Sequence, residues 1–449
     1  MIKPILDQNF MPAIIYNREY LKTAKYPFSI AIERENKCIY RYDTFTQQDG
    51  EMLYIERLIK SLLWAVGGFK IILAGDNEIC QYIKQAYSEG GIREFDAKFM
   101  SKVYESPFTV EITDIDKIPE HKENPQPIGR HLDGCRIGFD AGGSDRKVSA
   151  VVNGEVVFSE EIVWHPKLNE NPDYHYQGIL DAMKTAASKM ERVDAIGVSS
   201  AGVYINNRTM VASLFLKVPE HLFNEKIKDI YLNIAKEMGD VPIIVENDGD
   251  VTALAGSMHL NKNNILGVAM GTSEAGGYVD HNGNITGWLN ELAFVPVDYN
   301  PNAIVDEWSG DFGCGVKYFS QDAVIKLAPM AGIALSESLS PAEKLKEVQR
   351  LLQMGQECAR SIFETIGTYF GYSIAYYAEF YDIDYLQILG RVTSGLGGDI
   401  IIEGAKQVLK EEFPKLAEKI TLYVPDEYER RVGQSIAAAS LPEIKGGAK

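Results

Sequence analysis

Two stretches of this 449-residue chain follow one plan. Residues 135–154 read CRIGFDAGGSDRKVSAVVNG, and residues 265–283 read ILGVAMGTSEAGGYVDHNG. Each runs from a short apolar strand into a Gly-rich loop, then through further strand-like residues to an Asn-Gly pair. Asn-Gly is the usual signal of a type I′ hairpin. A plan used twice predicts two similar half-structures, each with a glycine loop at a strand end. The expected arrangement sets the halves face to face, with both loops pointing into the cleft between them.

The rest of the chain fits around this duplication. Residues 1–129 read as a small α+β unit, with SIAIE and KCIYRYDTF as paired strands. MLYIERLIKSLLWAV has helical spacing, and DNEICQYIKQAYSEGG is a helix capped by Asp76. The unit ends in IPEHKENPQPIGRHLDG, a linker by its prolines and mixed charge. Residues 135–262 form the first half: three strands in hairpin order, then alternating helices and the strands AIGVSSAG and PIIVEND. LFNEKIKDIYLNIAKEM is expected as one of these helices. Residues 263–449 form the second, with a hairpin expected at Asn282-Gly283, the buried strand YLQILG and a closing helix over YERRVGQSIAAAS. The fold class is therefore α/β, a duplicated mixed-sheet structure with an added N-terminal unit.

Composition removes several functions. The net charge is −18 and no dense basic patch exists, so nucleic acid is not an expected partner. No apolar run approaches the roughly 18 residues that cross a bilayer, so no membrane partner is expected. The N-terminus lacks the basic start, apolar stretch and cleavage site of a signal peptide. Five scattered cysteines without a CxxC pair suit the cytoplasm, where we expect the protein.

The glycine loops alone carry two readings. Each could be a turn that needs positive φ. Each could also cradle a phosphate, through backbone amides of Gly142, Gly143, Gly271 and Thr272 and hydroxyls of Ser144, Thr272 and Ser273. Asp140, directly before the first loop, is either an Asx turn or a carboxylate that orients magnesium, usually through the ion's waters. VENDGDVTAL crowds Glu246, Asn247, Asp248 and Asp250 at the end of a buried strand. Helix capping explains one acid there. Three acids and an amide exceed it, and a carboxylate at this point could take a proton from a substrate hydroxyl.

These motifs, in this order, resemble the ROK sugar kinases within the two-lobed, actin-like and hexokinase-type ATPase fold. GFDAGGSDRK resembles the family's first phosphate loop, AMGTSEAGG its second, VENDGDVTAL its catalytic segment, and LQILGRVTSG the strand and turn beside adenosine. The resemblance runs from about Cys135 to the C-terminus and leaves the N-terminal region uncovered. It implies Asp248 as the catalytic base and Asn247 as a sugar ligand. Asp140 stands at magnesium, and Gly390 and Gly395 flank the nucleoside. LNELAF matches the family's AGExGH stretch, which makes Glu291 a sugar-contacting carboxylate.

The departures bear on substrate. The family's His falls on Phe294 and a later sugar-binding Glu on Val316. Of the zinc cluster only Cys314 survives, so no structural zinc is expected. The resemblance implies an ATP- and magnesium-dependent kinase acting on a sugar or polyol. The alternatives are a non-catalytic sugar or nucleotide sensor, and an ATPase driving another process. For residues 1–129 the sequence is compatible with a dimerisation unit, and hence a homodimer, with a lid or with a partner-binding module.

Overall fold

The computed structural model of the protein describes residues 1–48, 52–123, 128–425 and 433–444. The chain forms two compact units that cut across chain order. Unit one comprises Met1–Asn124, Leu266–Gly276 and Trp288–Val424, and unit two Pro125–Ile265, Gly277–Gly287 and Pro425–Lys449.

Unit one opens with helix α1 (Ala13–Leu21) and the antiparallel strands β1 (Tyr26–Glu33) and β2 (Ile39–Thr46). Helix α2 (Met52–Val66), strand β3 (Lys70–Ala74), helices α3 (Asn77–Ala86) and α4 (Glu94–Tyr104) and strand β4 (Thr109–Ile112) complete a sheet of order β2-β1-β3-β4. Asp76 caps α3 by accepting from the backbone N–H groups of Glu78 (2.9 Å) and Ile79 (3.1 Å), as the sequence predicts.

This N-terminal part shares a core with residues 288–424. Phe10 meets Tyr369 with ring centroids 4.5 Å apart, the Ala13 N–H donates to Val297 O (3.0 Å), and Tyr376 Oη donates to Ser61 Oγ (2.6 Å). Helix α2 is buried on every side, from Tyr54 to Val66. Its charged residues are buried too, and therefore paired. Arg57 and Lys60 on α2 reach Asp311 Oδ2 at 2.7 and 2.8 Å, and Arg93 reaches the same oxygen at 2.8 Å. Glu56 pairs with Arg93, and Asp96 accepts from Trp64 Nε1 (3.0 Å).

Unit two begins with the hairpin β5 (Cys135–Ala141), β6 (Asp145–Val152) and β7 (Glu155–Val163), with a bulge between Ala150 and Val151. Asn153 and Gly154, both at positive φ, make the predicted turn. Helix α5 (Pro172–Ala187), strands β8 (Ala195–Ser200), β9 (Val203–Ile205) and β10 (Arg208–Val211), helices α6 (Glu220–Leu222) and α7 (Ile230–Glu237), strand β11 (Ile243–Asn247) and helix α8 (Asp248–Leu260) follow. The helix expected from LFNEKIKDIYLNIAKEM is instead split by a wide π-turn at Phe223–Ile227. The sheet runs β11-β8-β5-β6-β7, and β5, β8 and β11 are parallel.

Strands β12 (Ile265–Met270), β13 (Glu274–Val279), β14 (Tyr385–Leu389) and β15 (Thr421–Tyr423) form a sheet of order β13-β12-β14-β15. That order matches β6-β5-β8-β11, so the duplication read from sequence holds at the level of topology. The second hairpin is less complete than expected, because its third strand is reduced to one bridge, Val279 to Ile285. The backbone leaves the ladder: the N–H groups of Leu289, Asn290 and Glu291 donate to Val66, Ala65 and Trp64 at the end of α2. Helices α9 (Gln321–Met330), α10 (Pro341–Gln353), α11 (Glu357–Tyr377), α12 (Leu396–Glu412) and α13 (Pro414–Lys419) complete unit one. The aromatic run of α11 is buried, a packed helix.

Helix α14 (Gln434–Ala439) returns the chain to unit two and lies on β5 and β8. A Cβ on Gly197 would come within 1.7 Å of Ala438 O, so only glycine admits this helix. Residues 428–432 of the predicted closing helix, and 124–127 of the predicted linker, lie outside the described residues. Among the described residues no helix is long and apolar enough to cross a membrane.

Candidate functional site

In unit two the carboxyl ends of β5, β8 and β11 lie side by side. Asp140 sits opposite Ser199, and Ser200 opposite Asn247. Ligands of open α/β sheets bind at such strand ends, because adjacent loops diverge there and expose backbone and side-chain polar groups. The Ser199 hydroxyl donates to Asp140 Oδ1 (3.0 Å), while Tyr204 and Tyr231 both donate to Ser200 Oγ (2.6 and 3.2 Å).

The crowded VENDGD segment now divides by task. Asn247 caps α8: its Oδ1 accepts from the Gly249 N–H (2.8 Å), and its Nδ2 donates to Gly202 O (2.8 Å). The residue expected as a sugar ligand thus spends its side-chain oxygen inside the unit and keeps one N–H hydrogen. Asp250 is buried and accepts from the Tyr278 N–H (2.9 Å), a structural role. Asp248 stands at the first position of α8, half-buried; its Oδ1 shares the Gly249 N–H (3.1 Å) with the Asn247 cap.

Two carboxylates therefore stand close at this edge. Burial pushes the Asp140 carboxyl up to about 6, and the charge of Asp248 adds to the rise. Ser199 and Lys147 work the other way, and Asp145 raises it further. Asp248 is also raised, by burial, against the backbone N–H groups of Gly249 and Asp248 and the charge of Lys167. Like charges held together with little compensation are more typical of a working site than of a structural ion pair.

The first glycine loop follows Asp140 directly. Neither Gly142 nor Gly143 is at positive φ, so the turn reading of these glycines fails. Close backbone approach demands glycine at Gly142, whereas at Gly143 a Cβ would meet only the movable end of a side chain. A Cβ on Gly142 would sit 2.7 Å from Asp145 O, and one on Gly143 2.9 Å from Lys167 Cε. Gly143 and Ser144 are exposed, and Ser144 Oγ donates to Asp145 Oδ2 (3.0 Å).

Unit one carries the other predicted residues. Gly271 closes a tight turn onto Ser273 O (2.9 Å), which leaves Thr272 and Ser273 exposed. Gly390, at φ 108°, brings the end of β14 against Met270; a Cβ there would lie 2.3 Å from Met270 O. Gly271, Thr272, Ser273 and Gly390 are thus neighbours, and Gly395 starts α12 from the same turn. Glu291 opens the short turn Leu292–Phe294. Glu274, one residue past the loop, is buried and accepts from Tyr377 Oη (3.2 Å), with Oε2 unpartnered. Burial pushes this carboxyl up to about 8, against that hydrogen bond.

The positions that depart from the resembled family are packed, not vacated. Phe294 is buried against Trp64 (4.2 Å) and Trp308 (5.7 Å). Cys314 is buried with its Sγ 3.8 Å from Asp311 Oδ2, and burial pushes its thiol up to about 12. Val316 lies in the turn Gly315–Lys317, where its carbonyl accepts from Ser320 Oγ (2.5 Å). Among the described residues no three His, Cys, Asp or Glu side chains form a metal-holding group. One carboxylate oriented by one hydroxyl suits a hydrated magnesium touched through its waters, not an all-protein cage.

Sequence reasoning missed Ser199 and Glu274. Ser199-Ser200 did leave a signal, as paired hydroxyls ending an apolar strand, but Glu274 left none that separates it from a solvated acid.

No protein-family model matches the sequence, and no curated protein matches it. Solved structures do. A ROK hexokinase from Thermus thermophilus aligns at 18% identity over 68% of this chain and 97% of its own, with a TM-score of 0.53. A ROK family transcriptional regulator, a homolog of the E. coli MLC protein, aligns at 18% over 69% of this chain and 78% of its own (TM-score 0.53). A glucokinase from Parabacteroides distasonis aligns at 16% over 69% and 98% (TM-score 0.50). The fold is the duplicated α/β fold of these proteins, which kinases and a regulator share.

Proposed function

We propose that this chain transfers the terminal phosphoryl group of ATP to a hydroxyl of a sugar or polyol, with Asp248 as the general base. One observation carries the reading. Asp248 shares the Gly249 N–H with Asn247 through Oδ1 alone (3.1 Å) and is held beside Asp140 at the open end of three parallel strands. In the reaction, an acceptor oxygen bonds to phosphorus as the bridging P–O bond breaks. The electron pair leaves with ADP, and the hydroxyl proton passes to Asp248.

Gly142, Gly143 and Ser144 in one loop, and Gly271, Thr272 and Ser273 in the other, would hold phosphate oxygens. Gly390 and Gly395 would flank the nucleoside. Asp140, oriented by Ser199, would hold magnesium through its waters. A bound magnesium ion would withdraw charge from the phosphate oxygens. Asn247, through its remaining N–H hydrogen, and Glu291 would meet the acceptor. The share of the fold with kinases supports this reading, and a regulator with the same fold keeps a second one in play. Phe294, packed against Trp64 where the resembled kinases place a His, favours either an altered acceptor or binding without turnover.

An ADP-release assay with Mg·ATP over hexoses, amino sugars and polyols tests the proposal, with calorimetry on the same compounds. Turnover with one acceptor class supports the kinase. Binding without ADP release overturns it in favour of a sensor.

A further inference from the structure

The segment after β7 is docked against the first glycine loop. Trp164 is buried, and it donates from Nε1 to Gly142 O (2.8 Å) and from its backbone N–H to Ser144 O (3.1 Å). Both ends of the loop are thus tied to one residue. Two positions on, Pro166–Leu168 make a 3₁₀ turn. The buried ring of His175 braces that turn, with Nε2 3.0 Å from Pro166 O and Nδ1 3.1 Å from Asn171 O. The Tyr174 hydroxyl accepts from the His165 N–H (3.0 Å), and Asn169 Nδ2 donates to His165 O (2.9 Å).

This braced turn presents Lys167. A Cβ built on Gly143 would lie 2.9 Å from Lys167 Cε and 3.0 Å from its Nζ, so the ammonium rests on the exposed glycine of the loop. Lys167 is itself exposed and, among the described residues, has neither an ion pair nor a hydrogen bond. The other lysines of unit two near carboxylates behave differently: Lys184 pairs with Glu237 at 2.7 Å and Lys226 with Asp173 at 3.1 Å. An ammonium carried on a braced turn, with no carboxylate in ion-pair contact, is placed to meet an anion from solution. Its charge also reaches Asp248, where it opposes the effect of burial.

We propose that Lys167 is a catalytic residue of this site, binding the phosphoryl group held by the first glycine loop and neutralising its charge during transfer. The proposal rests on the kinase reading of the same site. Lys167 exchanges no proton in the step: the acceptor O–P bond forms, the bridging P–O bond breaks with its electron pair leaving on ADP, and the hydroxyl proton goes to Asp248. An oriented cation at a transferring phosphoryl group acts where charge develops, so its removal falls on kcat.

The test compares wild type with Lys167→Met, Lys167→Arg and the surface control Lys184→Met, all as full chains. With the best acceptor, Lys167→Met should lose on the order of 100-fold in kcat, with acceptor KM within about threefold. Lys167→Arg should recover part of the loss, and Lys184→Met should match wild type. Wild-type turnover by Lys167→Met overturns the proposal. Calorimetry with inorganic tripolyphosphate, without magnesium, separates this from the kinase reading. Wild type should bind it, and Lys167→Met at least about tenfold more weakly, one charge-assisted contact. Equal binding, or none by wild type, overturns the role of Lys167. If wild type binds tripolyphosphate through Lys167 yet releases no ADP with any acceptor, the kinase reading fails and the anion site stands.

Discussion

Asp311 and Asp140 are both carboxylates tucked into their own units, and their surroundings push them in opposite directions. Asp311 in unit one meets Arg57, Lys60 and Arg93 within 2.7–2.8 Å, and these cations overcome burial to hold it well below the usual carboxylate range. Asp140 in unit two has a hydroxyl and a second acid for neighbours, and it is raised to about 6. The first cluster satisfies its charges internally, which suits a core that must stay shut. The second leaves charge uncompensated, which stores an affinity for something absent from the chain. The contrast separates structural from functional acids in a protein with 63 acidic residues, where acidity by itself points nowhere.

Substitutions sharpen this contrast. Asp248→Asn should reduce kcat about 1,000-fold, on the order of 4 kcal/mol in barrier, and leave the melting temperature unchanged or raised, because one of two repelling charges is gone. Asp311→Asn should do the reverse. Leaving three buried cations short of one anion should cost about 3–5 kcal/mol of stability in chemical denaturation. If Asp248→Asn chiefly unfolds the protein while Asp311→Asn chiefly slows it, the assignment of roles is inverted.

Glu274 lies beside the second glycine loop, yet it groups with the structural acids. Its folded value of about 8 stands above the ordinary 4.5, so between those values the folded state holds a proton that the unfolded state has released. Its contribution to stability is complete below pH 4.5 and is lost as pH rises towards 8. Glu274→Gln should remove that slope and stabilise the protein by about 4 kcal/mol at pH 8, with little change at pH 5. Denaturant titrations at the two pH values check it, and turnover should stay within about threefold of wild type. A slope that survives in Glu274→Gln would assign the pH dependence elsewhere.

Ser199→Ala is the smallest of these changes. It removes the hydrogen bond that favours ionised Asp140, so the Asp140 titration should move upward, as carboxyl carbon NMR would report. The accompanying activity loss should be only a few-fold, about 1 kcal/mol.

Local pattern carried much of the fold. Strand periodicity, Asn-Gly turns and the Asp76 cap are signals written within a few residues, and the strands and turns of unit two follow them. Asp140 and Asp248 were legible for the same reason, since acids ending buried strands are conspicuous. What local pattern could not show is which distant surface covers a segment. Helix α2 reads as a helix, but nothing near Lys60 says that its ammonium will end on Asp311, far along the chain. That long-range docking also explains the truncated second hairpin, whose backbone turns to the end of α2 instead of extending the ladder. Lys167 was invisible for the same cause: its place depends on Trp164 gripping Gly142, 22 residues earlier in the chain, a contact without a period.

The central claim is that the half-buried carboxylates of unit two perform chemistry. Its most direct test is ADP release from Mg·ATP by wild type and Asp248→Asn, with the best acceptor from a panel of hexoses, amino sugars and polyols. The account predicts acceptor-dependent ADP release by wild type and a loss of about 1,000-fold in the variant, with acceptor binding retained. Equal turnover by the two proteins would contradict it.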